Sequence, residues 1–112
     1  MDSILTTTKE LSGVMAEYDT FDKDLIMYIN SVFLVLKQLG VGPEEGFVIT
    51  GPTETWSDFI PDKMVLRESM KSYMANKVRL QFDPPTSSVL LDTLTRNIAE
   101  FEWRFNIEAE TT

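Results

Sequence analysis

The segment "DTFDKD" places three carboxylates, Asp19, Asp22 and Asp24, within six residues. Clustered carboxylates can bind Ca²⁺, but this segment lacks the alternating ligands, the central glycine and the terminal glutamate of an EF-hand loop. It directly precedes a long apolar run, where acidic side chains complement the positive end of a helix dipole. We therefore interpret these residues as the start of a helix and predict no metal site.

The loop "GVGPEEG", residues 40–46, has glycines spaced somewhat as in a phosphate-binding loop. Such loops normally follow a strand, whereas this one follows a predicted helix, and Glu44 and Glu45 would repel a phosphate. Lys77 and Arg79 form a basic pair near the end of another predicted helix, where they are better explained as solvated charges that favour the helix C-terminus. We expect no cofactor at either place.

Histidine and cysteine are absent from the chain. Their absence removes the most common general base and metal ligand, and the strongest nucleophile at neutral pH. Asp, Glu, Lys, Ser and Tyr could still do chemistry, but no arrangement of them forms a recognisable catalytic motif. We predict that the protein is not an enzyme.

The 112 residues carry a net charge of −8, and 43% of them are hydrophobic. The length predicts a single domain over residues 1–112 with one modest core. The acidity disfavours tight binding to nucleic acid, although an acidic wall would let DNA pass without adhering. We expect neither a membrane span nor a secretion signal, because the longest apolar segment, residues 25–36, is too short and the first ten residues lack a basic and apolar leader.

The periodicity predicts an all-α fold, a small bundle of four to five helices with a long loop between the second and third major helices. A first short helix begins after Asp2 or Ser3 and ends at Gly13. A second helix over residues 21–39 is capped by Asp19 or Thr20 and ends at Gly40. Since twelve of its 19 residues are apolar and spread all around it, we expect it to be surrounded at the centre of the bundle.

After the loop, "TWSDFIPD" predicts one helical turn that places Trp56 and Phe59 on one side. Residues 62–80 then predict an amphipathic helix, because an apolar stripe recurs there at spacings of three and four. The stripe consists of Leu66, Met70, Tyr73, Met74 and Val78. The methionines at positions 64, 70 and 74 are expected mainly in the core. Pro84 and Pro85 end this helix in a corner, and Thr86, Ser87 or Ser88 caps the last helix, residues 88–106.

The last helix carries a regular apolar stripe whose members are three or four residues apart. Trp103 falls on the opposite side, in nearly the same direction as Val89. Such a tryptophan is either covered by another segment of the chain or held in an interface, and the sequence leaves both open. The stripe consists of Leu91, Leu94, Ile98, Phe101 and Phe105.

The run "KVRLQFDPPTSS" followed by "IAEFEWRFNI" closely resembles the head-tail connector family of tailed bacteriophages, the small adaptor proteins that dock beneath the portal. The segments "DSILTTTKELSGV", "FDKDLIMYINSVFLVLKQLGVGPEEGF" and "TWSDFI" resemble the first helix, the central helix and the loop of the same family, in the same order. The residues that match most specifically are Phe82, Asp83, Pro84, Pro85, Glu102, Trp103 and Arg104.

The resemblance implies a structural virion protein that forms a ring with copies of itself under the portal protein, with twelve as the expected number. Such a ring extends the DNA channel, lets DNA pass without specific binding, and joins the capsid to a stopper or tail protein. It implies no catalysis and no cofactor, and a location at the head-tail interface after assembly in the host cytoplasm. Candidate corner and interface residues are Phe82, Asp83, Pro84, Pro85, Trp103, Arg104, Trp56 and Phe59.

A soluble helical binding module, such as a small regulator that recognises one protein partner, is the alternative. It would use Trp103 or the methionine-bearing helix as its binding surface. The two hypotheses share a fold and differ in whether the chain assembles with itself.

Overall fold

The computed structural model describes residues 2–15 and 17–110, and within them the regular structure is helical, apart from one isolated bridge between Ser3 and Thr55. The predicted all-α bundle is therefore confirmed. The helices are α1 (Ile4–Leu11), α2 (Asp22–Gln38), α3 (Trp56–Phe59), α4 (Met64–Phe82) and α5 (Ser88–Glu110).

Helix α1 begins as predicted, with the Ser3 hydroxyl accepting a hydrogen bond from the backbone N–H of Thr6 at 3.2 Å. Asp2 does not cap the helix and instead forms an ion pair with Lys71 of α4 at 2.9 Å. Gly13 has a φ of 87°, the left-handed conformation expected of a glycine that ends a helix. Although short, α1 is bound to the bundle because its side chains at Ile4 and Leu5 are buried.

The start of α2 differs from the prediction. Neither Asp19 nor Thr20 caps it; the N-cap is Phe21, which makes no side-chain capping bond. Asp22 and Asp24 do lie in the first turn, as expected, and the Asp22 carboxylate contacts the buried Lys9 ammonium at 2.8 Å. The ion pair with α1 thus anchors this end of α2 to the bundle.

Helix α2 is not surrounded on every side, contrary to the expectation from its composition. Its buried residues, Leu25, Ile29, Val32, Phe33 and Leu36, recur at spacings of one, three and four and so form one face. On the opposite side Met27 and Leu34 are 65% and 58% exposed. The apolar residues around this helix therefore supply a core face and a separate exposed surface.

The loop between α2 and α3 is held against α2 by one side chain. The Asn30 amide accepts a hydrogen bond from the Ile49 N–H at 2.8 Å and donates one to the Ile49 carbonyl at 3.0 Å. This pairing satisfies both backbone groups of a buried residue, as burial requires. At the end of the loop, backbone hydrogen bonds from Ile4 to Glu54 and from Trp56 to Asp2 join it to the start of α1.

Helix α4 packs against α1, α2 and α5, so it is the element that joins the other long helices. Its predicted core residues are confirmed at Met70, Tyr73, Met74 and Val78, all fully buried. Met64 is 65% exposed, which corrects the expectation that it belongs to the core. It lies in the first turn of α4, before the helix reaches the bundle.

Helix α5 runs four residues beyond its predicted end and contributes Leu94, Ile98 and Phe105 to the core. Phe101 is partly buried and packs on the same cluster. Leu91, the first member of the predicted stripe, is 39% exposed, and residues 88–90 before it are exposed as well. Only the later part of the stripe therefore meets the core.

Candidate interaction surface

The corner, residues 83–87, joins α4 to α5 through an extended backbone. Asp83 has φ −149° and ψ 69°, outside the helical region that a following proline disfavours. Its N–H still donates to the Arg79 carbonyl at 2.9 Å, which completes the last turn of α4. At the other end, the Ser87 hydroxyl accepts from the Leu90 N–H at 3.4 Å, a long capping bond. The two prolines thus lie between the hydrogen-bonded last turn of α4 and the weakly capped first turn of α5.

Beyond the corner, the first residues of α5 project past the end of α4. Tyr73 of α4 contacts the rings of Phe101 and Phe105, with centroids 6.3 and 5.1 Å apart. Phe82 lies nine residues further along α4, about 13 Å at 1.5 Å per residue, and the same length back along the antiparallel α5 leads to the neighbourhood of Leu94. Leu94 is indeed the first buried residue of α5, and residues 88–93 are all exposed. We call residues 88–93 the overhang.

The side of α5 that faces away from the bundle is partly apolar. Val89, Arg96 and Trp103 are spaced by seven residues, nearly two full turns, and Ile107 follows one turn later. Val89, Trp103 and Ile107 are 71%, 62% and 42% exposed, and Arg96 is exposed too. We call these four residues the outer face. The predicted direction of Trp103 is confirmed, and among the described residues no segment covers it.

In the sequence "EWR", Glu102 faces helix α4, whereas Trp103 and Arg104 face outward. The Glu102 carboxylate accepts a hydrogen bond from the Tyr73 hydroxyl at 2.8 Å and lies 3.4 Å from the Lys77 ammonium. Burial, together with the hydrogen bond and charge of Glu102, raises the pKa of Tyr73 well above its ordinary value. Arg104 points outward and pairs with Glu100 at 2.8 Å on the exposed surface. Lys77 therefore joins α4 to α5 and forms no free basic patch with Arg79.

Two of the proposed interface residues are core residues. Trp56 and Phe59 are 0% and 2% exposed, and Phe59 packs against Phe33 and Phe47 at centroid distances of 4.7 and 5.3 Å. Their helical turn forms as predicted, closed by a reciprocal capping box between Thr55 and Asp58. The turn buries both rings within the subunit, so neither ring is part of the exposed surface of the described chain.

A further apolar patch lies beside the corner and was missed in the sequence. Phe82 meets Phe21 at 5.1 Å, and Phe21 meets Tyr18 at 5.7 Å, each edge to face. Tyr18, Phe21 and the nearby Met15 are 48%, 38% and 66% exposed. Because these residues precede a helix start without any periodic pattern, nothing in the sequence marked them as a surface.

A groove lies at the opposite end of α5 from the overhang. We call it the terminal groove; it has a volume of about 480 Å³ and is lined by residues 40–43, residues 58–63, Leu66, Phe105, Glu108 and Ala109. The α2–α3 loop reaches it with Gly42 at a φ of 90°, where a Cβ atom would overlap the Phe59 ring. Gly42 is needed because the loop approaches Phe59 closely, and this approach exists only in the folded chain. The glycine spacing in the sequence therefore suggested only a phosphate-binding loop.

The described residues contain no group of three or more acidic, histidine or cysteine side chains placed to hold a metal ion. The "DTFDKD" carboxylates do not converge, since Asp22 is directed to Lys9. In the same part of the chain no helix is both long and apolar enough to cross a bilayer. What the described surface offers is apolar contact area on α5, beside the corner and in the terminal groove.

Comparison with known proteins identifies the family to which these surfaces belong. A family model described as "Phage connector protein" matches residues 4–112, which includes all five helices, the corner and the outer face. Searches of curated proteins and of solved structures return no significant match. Because the match covers nearly the whole sequence, the chain belongs to the phage connector protein family, whose role is structural.

Proposed function

We propose that this protein is the head-tail connector of a tailed phage, a single-domain adaptor that forms a twelve-fold ring beneath the portal protein. The ring extends the DNA channel and joins the capsid to the stopper or tail protein. In this role the protein acts without catalysis or cofactor. It belongs to the virion at the head-tail interface, after assembly in the host cytoplasm.

The observation that carries the proposal is the exposure of Trp103 on the outer face. A tryptophan that is 62% exposed, with the exposed Ile107 one turn further along α5, leaves apolar area in water unless a partner covers it. Interface anchors are often tryptophans, and truncating one typically costs binding at least 2 kcal/mol. A connector must contact neighbouring copies and the portal, so such a face has a use in this family.

The charge supports a channel that does not retain DNA. Twelve copies at −8 each would surround the channel with acidic protein. DNA carries one negative charge per about 1.7 Å of axis, so an acidic wall repels it. We expect no measurable binding of duplex DNA by the isolated protein at physiological salt, which a filter-binding or anisotropy titration would check.

Electron microscopy of the protein mixed with its cognate portal tests the ring. The expected result is an additional ring of density on the portal vertex, whose subunits can be counted in end-on averages. A cleanly monomeric protein that ignores the portal would contradict the proposal and favour a binding module for another protein. Monomers in the absence of portal would not, since a portal can serve as the template for assembly.

Trp103→Ala tests whether the outer face takes part in ring formation, and Met27→Ala is the matched control. Both side chains are more than 60% exposed, but Met27 lies on α2, away from the outer face. We expect Trp103→Ala to reduce ring occupancy at least tenfold and Met27→Ala to leave it unchanged. Equal occupancy for the two variants would remove the outer face from the interface.

A further inference from the structure

We propose that a groove beside the corner binds an arginine or lysine side chain of the portal protein. The groove, which we call the corner groove, has a volume of about 410 Å³ and is lined by residues 12–15, Tyr18, Phe21, Phe82 and Asp83. It lies where the C-terminal ends of α1 and α4 meet the start of α2. This inference rests on the proposed connector role and specifies the chemistry of one contact between each copy and the portal.

Three aromatic rings form one wall of the corner groove. The Phe21 ring meets the rings of Tyr18 and Phe82 at centroid distances of 5.7 and 5.1 Å, with interplanar angles of 62° and 68°. Because neighbouring rings are steeply inclined, they present faces in more than one direction, and Tyr18 and Phe21 are 48% and 38% exposed. The face of an aromatic ring attracts a cation that lies within about 6 Å of the ring centre. The wall therefore suits a cationic side chain with an apolar stem.

The Asp83 carboxylate distinguishes a cationic occupant from a purely apolar one. Asp83 lines the corner groove and is exposed, and its side chain forms no hydrogen bond or ion pair with any other described residue. An apolar segment that covered the groove would take this carboxylate out of water without a partner, which weakens binding. An arginine or lysine would pair with the carboxylate while its stem packs on the rings. A cation therefore satisfies both the aromatic wall and the carboxylate.

The charges around the corner groove also favour a basic partner. Glu17 and Asp19 lie on either side of the first ring in the sequence, and both are exposed. The bases in the adjoining helical turns are Arg79, in the last turn of α4, and Lys23, which two aspartates flank in the first turn of α2. Carboxylates thus outnumber bases here, so the local potential attracts a cation.

A second copy of this chain is a poorer source of the cation than another protein. Each copy carries a net charge of −8, so copies repel one another where acidic surfaces meet. On the exposed side of α5, Arg104 is already paired with Glu100. Arg96 lies four positions from both Asp92 and Glu100, so it would bring carboxylates toward an acidic groove. Among the other proposed partners we assign the cation to the portal, because the portal is the template on which the ring would form.

A titration with a small molecule tests the cation site without the portal. The probe is N-acetyl-arginine amide, and its control is N-acetyl-citrulline amide, which has nearly the same shape but no charge. We expect the arginine probe to shift the NMR signals of the Tyr18, Phe21 and Phe82 rings about fivefold more than the citrulline probe at equal concentration. Asp83→Asn should remove most of this difference, and Asp62→Asn, at an exposed carboxylate of the terminal groove, should preserve it.

Two substitutions at Tyr18 separate cation binding from simple apolar contact. Tyr18→Phe keeps the aromatic face, whereas Tyr18→Leu keeps an apolar side chain and removes the face. Because Tyr18 is 48% exposed, both variants should fold. We expect Tyr18→Phe to preserve the response to the arginine probe and Tyr18→Leu to reduce it. Equal responses of the two variants would contradict a role for the ring faces and overturn the site.

Charge reversal tests the contact with the portal itself. Asp83→Lys places an ammonium in the corner groove, where it would repel the incoming cation, and Asp62→Lys makes the same change in the terminal groove. Both aspartates are exposed, and neither side chain bonds to another described residue, so both variants should fold. We expect a loss of ring occupancy on the cognate portal of about tenfold or more for Asp83→Lys and a change of less than about twofold for Asp62→Lys.

The outcomes separate this inference from the proposed function. Equal responses to the arginine and citrulline probes, or intact rings of Asp83→Lys on the portal, would overturn the cation contact and leave the connector role standing. Self-association of the wild-type protein that Asp83→Lys abolishes would assign the groove to a second copy, and a loss confined to stopper binding would assign it to the stopper; either would overturn the portal contact. If the wild-type protein responds to the arginine probe but forms no ring on the portal, the proposed function and the portal contact both fail.

Discussion

The two tryptophans of this chain occupy opposite environments. Trp56 lies in a helix of four residues and is fully buried, whereas Trp103 lies in a helix of 23 residues and is 62% exposed. What differs is the direction of the ring relative to the neighbouring elements.

The short helix α3 buries its tryptophan because the chain surrounds it. The capping box of Thr55 and Asp58 satisfies the backbone at the start of the turn. The backbone N–H groups of Trp56 and Ile4 donate hydrogen bonds to the carbonyl groups of Asp2 and Glu54, respectively, and so join the turn to the start of α1. Trp103 stands on the side of α5 opposite Leu94 and Ile98, where it stays 62% exposed because no segment of the described residues covers it. Burial thus makes Trp56 part of the subunit core and leaves Trp103 on the surface.

The largest expected difference in stability is between the alanine variants of the two tryptophans. Trp56→Ala should lower the free energy of unfolding by about 3–5 kcal/mol, since it removes a fully buried ring and leaves a cavity. Trp103→Ala should change it by no more than about 0.5 kcal/mol, as for an exposed surface residue. Urea denaturation followed by circular dichroism measures both. A loss from Trp103→Ala as large as that from Trp56→Ala would place Trp103 in the core.

Two glycines test whether the core around α3 is as tightly packed as the buried rings suggest. Gly42 and Gly13 have φ values of 90° and 87°, so an alanine at either position meets similar backbone strain, about 1–2 kcal/mol. A Cβ atom at Gly42 would also overlap the Phe59 ring, whereas a Cβ atom at Gly13 would meet nothing within 4 Å. Gly42→Ala should therefore be more destabilising than Gly13→Ala by about 1–3 kcal/mol. Equal thermal shifts would mean that Phe59 moves aside freely.

A substitution at Tyr73 tests the bond between α4 and α5 that leaves the outer face of α5 exposed. Tyr73→Phe removes the hydrogen bond to Glu102 and should lower the free energy of unfolding by about 0.5–1.5 kcal/mol. The raised pKa of Tyr73 also predicts a pH effect. The folded state keeps the phenol protonated, so its contribution is complete below pH 10 and is lost as the pH rises above the ordinary tyrosine value of about 10. Denaturation at pH 8 and pH 10.5 should show a steeper loss for the wild type than for Tyr73→Phe; parallel losses would contradict it.

The corner should have the smallest effect on the isolated subunit. Pro84→Ala combined with Pro85→Ala should cost about 1 kcal/mol or less per site, because it mainly increases the freedom of the unfolded chain and of the corner. We expect helical content to remain and ring formation on the portal to weaken, since the outer face of α5 would lose its fixed direction. Unchanged assembly of the double variant would show that the corner only ends one helix and starts another.

Much of the fold follows from local patterns. Gly13 and Gly40 adopt the left-handed conformation expected at helix ends, and the α4 core residues follow their spacing of three and four. The start of α2 could not be predicted, because its stabilising partner is Lys9, 13 positions earlier in another helix. For the same reason Asp19 and Thr20, which are good capping residues by type, have no capping role.

The candidate site was predictable only in part. The family and the outward direction of Trp103 followed from the sequence, since motif and helical period are properties of consecutive residues. The burial of Trp56 and Phe59 in the subunit was not predicted, because exposure depends on which elements pack over a turn. The aromatic patch at Phe21 and Phe82 and the terminal groove join distant segments, so no local pattern marked them.

Short-range periodicity and backbone restriction set the helices, the two-proline corner and the side of α5 on which Trp103 lies, so all three follow from local sequence. Tertiary packing buries α5 only from Leu94 onward, which leaves the overhang exposed while the other end of α5 borders a groove. The relative lengths and offset of packed helices depend on contacts between residues about 30 positions apart, such as Tyr73 and Phe101. Such contacts have no counterpart in the local pattern of the chain.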